Sequence, residues 1–411
     1  MTASDDWPES DWNPADPEVS GDYMGAFAKL RASCPVPWSD IWGGFWSLTT
    51  HRDIEFACRH PEIFRNSPQM AVPNLDLGFK WLPLQSDPPD HAAYRAVLQP
   101  FLHRGRMRDL EPAMRARARS LLEPLAAKGS VDAVVEFTYP YAATALCVAM
   151  NLSDEHWHRF RMWNNDVVSC FATADVMRLQ EIVADILAFV RAEIEARRDD
   201  PGDDLISALL AHQVDGRPLT ESEIHGYFVL LVTAGQNTAS DSLGHAIRHL
   251  AAHPEHRARL RAEPELVPNA VEEIIRFYPP LLALGRNAAS DAELCGRTIH
   301  EGDQIALVWG SAAHDQEQYA DADEFVLDRP PTRGVSFGLG QHYCVGADLG
   351  RVQLKVAVEE ILAAWPEFHL AGEPVKTTWP TNGFRSLPVT IETASRPAPS
   401  AAGHTKEPVR S

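Results

Sequence analysis

Residues 337–346 read Phe337-Gly338-Leu339-Gly340-Gln341-His342-Tyr343-Cys344-Val345-Gly346, a glycine-jointed loop that carries one cysteine and leads into a helix. Gly338 and Gly340 can adopt backbone angles that are closed to other residues, so the chain can pass close to a flat ligand. Cys344 stands just before an apolar, helix-forming stretch over residues 347–365. The free N–H groups and the positive end of that helix are expected to lower the pKa of the thiol and to favour the thiolate. Gly346 keeps side-chain bulk away from the sulfur.

The default interpretation of a lone cysteine in such a loop is a buried structural thiol. The spacing F-G-x-G-x-H-x-C-x-G, with Leu349 and Arg351 beyond it, instead resembles the haem-binding signature of the cytochrome P450 family. The resemblance implies a mainly α-helical P450 fold with small β-sheets, in which haem b lies between a long central helix and the helix after the cysteine loop. It implies the following contacts to the cofactor: Cys344 as the axial iron ligand, His342 at a propionate, and Phe337, Gly338 and Gly346 around the ring.

Size and composition are consistent with one large folded unit. The chain has 411 residues, of which 45% are apolar, enough to bury a substantial core. The resemblance implies a single haem domain over residues 23–394. Residues 1–22 are polar and Pro-rich, and residues 395–411 lack an apolar period, so we expect a flexible acidic N-terminal segment and a disordered C-terminal tail.

Cysteine usage and the N-terminal residues favour a cytoplasmic location. The six cysteines show no C-x-x-C pair and no framework spacing, which disfavours both structural zinc and a disulfide scaffold. The first ten residues have neither the basic nor the apolar region of a signal peptide. No apolar run reaches the roughly 18–20 residues of a membrane-spanning helix. We therefore expect a soluble, cytoplasmic and monomeric protein.

The charge balance disfavours some partners and suggests another. A formal net charge of −20, from 37 basic and 57 acidic residues, repels nucleic acid and anionic membranes. A local basic cluster stands against this background, and its members are His103, Arg104, Arg106, Arg108, Arg115, Arg117 and Arg119. A solvated helix face explains some of these cations. Because the resemblance puts the segment near the proximal side of the haem, it also implies a ferredoxin and its reductase as partners, with docking at Arg104, Arg106 and Arg108.

Apolar periodicity predicts a chain dominated by helices. Residues 45–49 are predicted to form a short strand and residues 51–57 a helix. Recurrence of apolar residues at i, i+3, i+4 and i+7 predicts further helices over roughly 91–127, 152–170, 176–199, 220–252, 256–262, 266–277 and 346–365.

The predicted helix from Thr220 is long enough to cross the core. Thr220 and Glu223 form a capping box at its start, and Pro254 ends it. At about 1.5 Å per residue, some thirty residues span most of a domain of this size.

This helix contains Ala234-Gly235-Gln236-Asn237-Thr238, which resembles the oxygen-binding motif A-G-x-acid-T of the family. The resemblance implies that Ala234, Gly235, Asn237 and Thr238 are catalytic, with Gly235 leaving room for dioxygen and Thr238 positioning the oxygen and water that deliver protons. An ordinary helical threonine would bond back to the carbonyl of Ala234, and both roles can hold together. Asn237 departs from the pattern, because an amide can orient a water but cannot relay a proton by itself.

Two further motifs resemble parts of the family. Glu273 and Arg276 lie three residues apart on one face of a helix, a spacing that is common for surface ion pairs. Together with Arg329 they resemble the E-x-x-R helix and the meander arginine, which implies a buried structural network. His91 and Arg95, in a D-P-P-x-H-x-x-x-R motif, and Arg286 are implied to contact the haem propionates with His342, because buried carboxylates need partners.

The resemblance also implies a substrate pocket with an almost wholly apolar lining. We expect a compact hydrophobic substrate, such as a terpenoid, an aromatic or a polyketide-like molecule. About half of these residues are expected to be ordinary core instead. The predicted lining is Val72, Leu75, Leu77, Phe79, Trp81, Leu82, Phe171, Val232, Ala234, Leu281, Leu282, Leu284 and Phe384.

The activity implied by the resemblance is a monooxygenase that uses O2 and two electrons from a separate donor to hydroxylate or epoxidise its substrate. A peroxide-driven or oxidative-coupling P450 is an alternative that the missing acid at Asn237 favours slightly. A haem-based sensor is a non-enzymatic alternative, although Gly235 and Thr238 argue against it. A zinc hydrolase built on His342 and Cys344 lacks a further ligand pair with metal-site spacing.

Overall fold

Helices dominate the computed structural model of the protein, which describes residues 8–68, 71–74, 78–173, 175–330 and 334–392. The α-helices of these residues are α1 (Pro17–Gly21), α2 (Tyr23–Ser33), α3 (His51–Arg59), α4 (His91–Ala96), α5 (Gln99–Leu102), α6 (Arg104–Lys128), α7 (Tyr139–Met150), α8 (Trp157–Thr173), α9 (Val176–Arg198), α10 (Leu205–Ala211), α11 (Glu221–Ala252), α12 (Pro254–Ala262), α13 (Val267–Phe277), α14 (Trp309–Ala312) and α15 (Ala347–Ala364).

The strands are short and form small sheets. They are β1 (Trp38–Ser39), β2 (Phe45–Leu48), β3 (Phe64–Arg65), β4 (Ser130–Asp132), β5 (Gln213–Val214), β6 (Arg217–Pro218), β7 (Leu284–Ala288), β8 (Ala292–Leu294), β9 (Arg297–Ile299), β10 (Gln304–Leu307), β11 (Glu367–Leu370), β12 (Val375–Lys376), β13 (Phe384–Ser386) and β14 (Pro388–Glu392). The largest sheet has the order β1-β2-β10-β7-β3 and is antiparallel except for the parallel pair β2 and β10. A second sheet has the order β11-β14-β4. The prediction of a mainly α fold with small sheets is confirmed.

The helix predicted over 91–127 is divided into α4, α5 and α6. His103 takes an extended conformation, with φ −74° and ψ 153°, and its side chain accepts a hydrogen bond from the backbone of Arg106. It therefore ends α5 and caps the start of α6, which periodicity alone does not reveal.

Helix α11 begins at the predicted capping box. Thr220 accepts from the backbone N–H of Glu223, and the Glu223 side chain accepts from the backbone of Thr220. Its 32 residues extend about 48 Å. The helix contacts α7, α8, α13 and α15, and most of its side chains are buried. It is thus the central helix that the sequence predicts.

Helices α6 and α15 pack side by side and run in the same direction. Lys355 of α15 pairs with Glu111 of α6 at 3.0 Å, and one turn further along both helices Glu359 pairs with Arg115 at 2.5 Å. The first turn of α6 therefore lies alongside the end of α15 that follows Cys344.

Candidate functional site

The loop before α15 is closed by backbone hydrogen bonds. The N–H of Cys344 donates to the carbonyl of Phe337 over 2.8 Å, and the N–H of Gly338 donates to Val335 over 2.7 Å. Gly338 and Gly340 have φ values of 73° and 67°, as the sequence predicts for this loop. A Cβ on Gly340 would also lie 2.5 Å from the carbonyl oxygen of Cys58. Any larger residue at 340 would therefore displace the loop.

Cys344 lines a large cavity and its surface is exposed there. Desolvation by the surrounding protein raises the pKa of the thiol above its ordinary value, while the N–H of Gly346 and the charges of Arg95 and Arg351 act in the opposite direction. The expectation that the helix end would lower this pKa is therefore wrong for the protein alone, because desolvation outweighs the N–H groups.

Arg351, one turn into α15, braces the cysteine loop. Its guanidinium pairs with Glu272 of α13 at 2.5 Å and donates to the hydroxyl of Tyr343 over 3.0 Å. It also lies over the ring of Phe337, 4.4 Å from the ring centre. Arg351 belongs to the sequence motif, but Glu272 was not predicted, because in the sequence it looks like any exposed helical glutamate.

The cavity lies between α11 and the cysteine loop. Its empty space is about 1520 Å³, which includes solvent at its open mouth. One wall carries Cys344, Phe337, Gly338 and Gly346, and the wall from α11 carries Ala234, Gly235 and Thr238.

Four basic side chains gather at one side of the cavity. They are His91, Arg95, Arg286 and His342, which the sequence grouped from three separate segments. The two imidazole rings lie 4.1 Å apart, and the Nε2 atom of each is buried without a hydrogen-bond partner in the described part of the chain. Burial lowers the pKa of His91 to about 4 and that of His342 to about 2.

The two arginines of this group donate to backbone carbonyls, and Arg286 also faces the thiol of Cys58. Arg95 donates to Tyr343 and Arg286 donates to Gly285, each over 2.7 Å. Within the described residues, neither makes an ion pair with a carboxylate. Arg286 is buried and Arg95 is half-buried. These two guanidinium groups and the two imidazole nitrogens without partners, beside a cavity thiol, fit a flat cofactor that carries two carboxylates and a metal, as haem does.

Thr238 lies in the cavity wall and Asn237 does not. The hydroxyl of Thr238 donates to the carbonyl of Ala234 over 2.9 Å, as expected for a helical threonine. Three residues before Thr238, Gly235 leaves space that Leu146 of α7 fills, since a Cβ there would lie 3.0 Å from Leu146 Cδ1. Leu146 lines the cavity too.

Asn237 faces away from the cavity and connects three helices. Its Oδ1 accepts from the hydroxyl of Tyr139 on α7 over 2.9 Å and from Nδ2 of Asn164 on α8 over 2.7 Å. Burial raises the pKa of Tyr139, so its hydroxyl is protonated and donates at neutral pH. From its chemistry the amide of Asn237 can orient a water, whereas in the structure its oxygen accepts from these two donors.

Asp241 is a buried acid that was not predicted from the sequence. It stands one helical turn after Asn237 and is 3% exposed, and its Oδ1 has no hydrogen-bond partner among the described residues. Gly383 packs directly against the carboxyl, and the N–H of Phe384 faces it. Burial raises the pKa of Asp241 to about 8.

The titration of Asp241 makes stability depend on pH. Between an unfolded pKa of about 3.9 and a folded pKa of about 8, the folded protein keeps a proton that the unfolded chain loses. The stability that this extra bound proton gives the folded protein is therefore lost as the pH rises from about 3.9 to about 8. Asp241→Asn should gain stability relative to the unaltered protein between pH 5 and pH 9, as measured by urea unfolding at each pH. A difference between the two proteins that stays constant with pH would contradict a raised pKa.

Only some of the residues predicted for the substrate pocket line the cavity. Ala234, Leu281 and Leu284 line the cavity, together with Leu230, Leu231, Leu98 and Met150. The side chains of Trp81, Leu82, Val232, Leu282 and Phe384 are instead buried in apolar core clusters. Leu75, Leu77 and the side chain of Phe171 lie outside the described residues.

The predicted network of Glu273, Arg276 and Arg329 is assembled and buried. Arg276 donates to both carboxylate oxygens of Glu273 over 2.7 and 2.8 Å, and Arg329 donates to the same group over 3.1 Å. The remaining donors of both arginines reach backbone carbonyls of residues 313–324, as with Ala313 and Ala320. These contacts fix the segment that leads to the cysteine loop.

Comparison with known proteins gives a consistent result. The family model "Cytochrome P450" matches residues 145–392. The methyl-branched lipid omega-hydroxylase of Mycobacterium bovis is 32% identical over 388 residues, covering 89% of this chain and 90% of that protein. The linalool 8-monooxygenase of Pseudomonas putida is 30% identical, covering 84% and 90%. A solved structure of a P450 EryK mutant with erythromycin B has a TM-score of 0.83 and 30% identity, covering 92% of this chain and 98% of that one.

No described helix is both long and apolar enough to span a membrane.

Proposed function

Because the chain belongs to the cytochrome P450 family and its relatives are monooxygenases, we propose a monooxygenase reaction for it. The reaction would use O2 and two electrons from a separate ferredoxin-type donor. Its product would be a hydroxylated or epoxidised form of a compact hydrophobic molecule. The observation that carries this proposal is the cavity with the Cys344 thiol on one wall and Thr238 on the other. We further propose a single haem domain over residues 23–394.

The residues around the cavity would hold haem b. Cys344 would ligate the iron, whose charge overcomes the burial that otherwise keeps the thiol protonated. Arg286, Arg95, His91 and His342 would neutralise the propionates. When bound, the haem supplies reductive activation of dioxygen.

Thr238 would deliver protons into the cavity. Its hydroxyl hydrogen is donated to Ala234, so its oxygen lone pairs are free to accept from a water in the cavity. Held in this way, the hydroxyl oxygen would position a water that carries protons to the reaction site. Asn237, held by Tyr139 and Asn164, would keep the helices around this path in place.

An apolar substrate is supported by the leucines of the cavity lining. Leu230, Leu231, Leu281 and Leu284 offer no charge there. Relatives named for a methyl-branched lipid and for linalool support the hydrophobic class. Terpenoids, alkyl aromatics and polyketide-like compounds should be screened for a substrate-induced spin shift and then for products labelled from 18O2. Labelled product is expected with ferredoxin and its reductase, and unlabelled product would contradict oxygen insertion.

The electron donor would dock at the first turn of α6. Arg104 and Arg108 are exposed there, alongside the end of α15 that follows Cys344. The later arginines of the basic cluster form ion pairs within the chain. Arg115 and Arg119 pair with Glu360, and Arg117 pairs with Asp154. For these three arginines the explanation is helix packing rather than docking.

Charge reversal should test the docking surface. Arg104→Glu with Arg108→Glu is expected to slow electron transfer from an acidic ferredoxin and to weaken its dependence on salt, because steering by opposite charge is lost. The variant Arg191→Glu with Arg198→Glu makes the same charge change on α9. It should leave the rate of electron transfer and the salt dependence of that rate unchanged. Equal rates in the two double variants would remove the first turn of α6 from the docking surface.

A peroxide-driven reaction is the second candidate, and the amide at Asn237 favours it. Peroxide already contains the two electrons and the protons, so it bypasses a weak proton supply. Product formed with peroxide at the rate reached with the electron donor would support this candidate.

A further inference from the structure

Three histidine rings converge where α11 ends and α12 begins, at the far end of the central helix from its capping box. His249 lies in the last turns of α11, His253 stands between the two helices, and His256 lies in the first turn of α12. Their ring centres are 4.4 to 5.2 Å apart in every pairing. The three imidazoles therefore form one compact group.

A carboxylate completes the group. Oε1 of Glu255 lies 2.9 Å from Nδ1 of His253. One ligand atom from each of His253, Glu255 and His256 lies within 4.8 Å of the others. Two imidazole nitrogens and one carboxylate oxygen form the kind of donor set that holds Zn²⁺ in sites that keep a fourth position for water.

His256 is oriented by the buried ring of His249, which in turn contacts Tyr278. Its Nδ1 lies 2.9 Å from Nε2 of His249, and Nδ1 of His249 lies 3.0 Å from the hydroxyl of Tyr278. The ring of Phe325 packs on His249 with 3.8 Å between centres. A metal-binding histidine is commonly fixed through its second nitrogen in this way. The last carbonyls of α11 also place partial negative charge at this point, which favours a cation.

We propose that His253, Glu255 and His256 bind a divalent transition metal of the zinc class, with His249 as a positioning residue. The site lies apart from the cavity around Cys344 and does not depend on the activity proposed for it. Bound metal would tie the end of α11 to the start of α12.

Titration of the chelator-treated holoprotein with ZnSO4 in a calorimeter tests the site. We expect one Zn²⁺ per chain, a higher Tm when the ion is present, and no comparable binding of Ca²⁺, which prefers oxygen ligands. His253→Ala and His256→Ala should each weaken Zn²⁺ binding by about tenfold or more. The absorption spectrum with carbon monoxide should not change, which shows that the variants are folded.

His60→Ala is the matched control. His60 and Glu62 have the same spacing and a 2.8 Å contact, but among the described residues no histidine cluster surrounds them. This variant should bind Zn²⁺ like the unaltered protein. His249→Phe should weaken binding about 10–100-fold, as loss of an orienting partner does, and His249→Gln should restore part of it. No Zn²⁺ binding, or binding that survives His253→Ala with His256→Ala, would overturn the proposal.

Discussion

Replacing Glu273 with alanine is expected to lower the free energy of unfolding by about 3–5 kcal/mol, the usual cost of removing one partner from a buried ion pair. Glu273 is 2% exposed, and both Arg276 and Arg329 donate to its carboxylate. Without it, two buried guanidinium groups keep only backbone partners. Because the network holds the segment before the cysteine loop, the variant should also lose haem more readily. Urea unfolding and haem transfer to apomyoglobin measure the two effects.

An exposed pair of the same spacing provides the control. Arg178 and Glu181 are also three residues apart and lie 2.9 Å from each other, with both side chains more than half exposed. Glu181→Ala should change the unfolding free energy by less than about 1 kcal/mol, since exposed pairs contribute little. Equal losses in Glu181→Ala and Glu273→Ala would contradict a structural role for the buried network.

Replacing Thr238 with alanine is expected to reduce the rate of product formation on the order of 10²-fold, the scale of a lost proton-transfer group. Electron consumption should continue, so the product formed per electron pair should fall. The reason is that alanine offers no oxygen to the water at this wall of the cavity. The ratio of product to electrons consumed, measured with the reconstituted donor, reports the effect.

Thr233 provides a control that distinguishes proton delivery from the hydrogen bond that a helical threonine makes to its own helix. Its hydroxyl donates to the carbonyl of Val229 over 2.8 Å, just as Thr238 donates to Ala234, but it is not in the cavity wall. Thr233→Ala should leave the ratio unchanged, and Thr238→Ser should restore most of it. If Thr238→Ala stays fully coupled, the threonine does not supply protons.

Local signals in the sequence were enough to predict the cysteine loop and the start of the central helix. Two glycines with positive φ and the capping box of Thr220 depend on residues that are close in sequence. Helix α7 was missed for a physical reason: nearly all its side chains are buried, so it has no polar face and no visible period. It nevertheless supplies Leu146 to the cavity and Tyr139 to Asn237.

Features that depend on distant segments were predicted less well. The burial of Asp241 comes from the packing of Gly383 against its carboxyl, and the sequence gives no sign of this contact. The pairing of Glu272 with Arg351 joins α13 to α15. The raised pKa of Cys344 likewise reflects the enclosure of the whole cavity rather than the adjacent helix end.

The central claim is that Cys344 holds a haem iron as a thiolate. The visible spectrum of the purified, dithionite-reduced protein with carbon monoxide tests it most directly. We expect a Soret band shifted far to the red, which is lost in Cys344→Ala and kept in Cys58→Ala, a substitution of the buried cysteine beside Gly340. Absence of haem, or a spectrum typical of histidine ligation in the unaltered protein, would contradict the account.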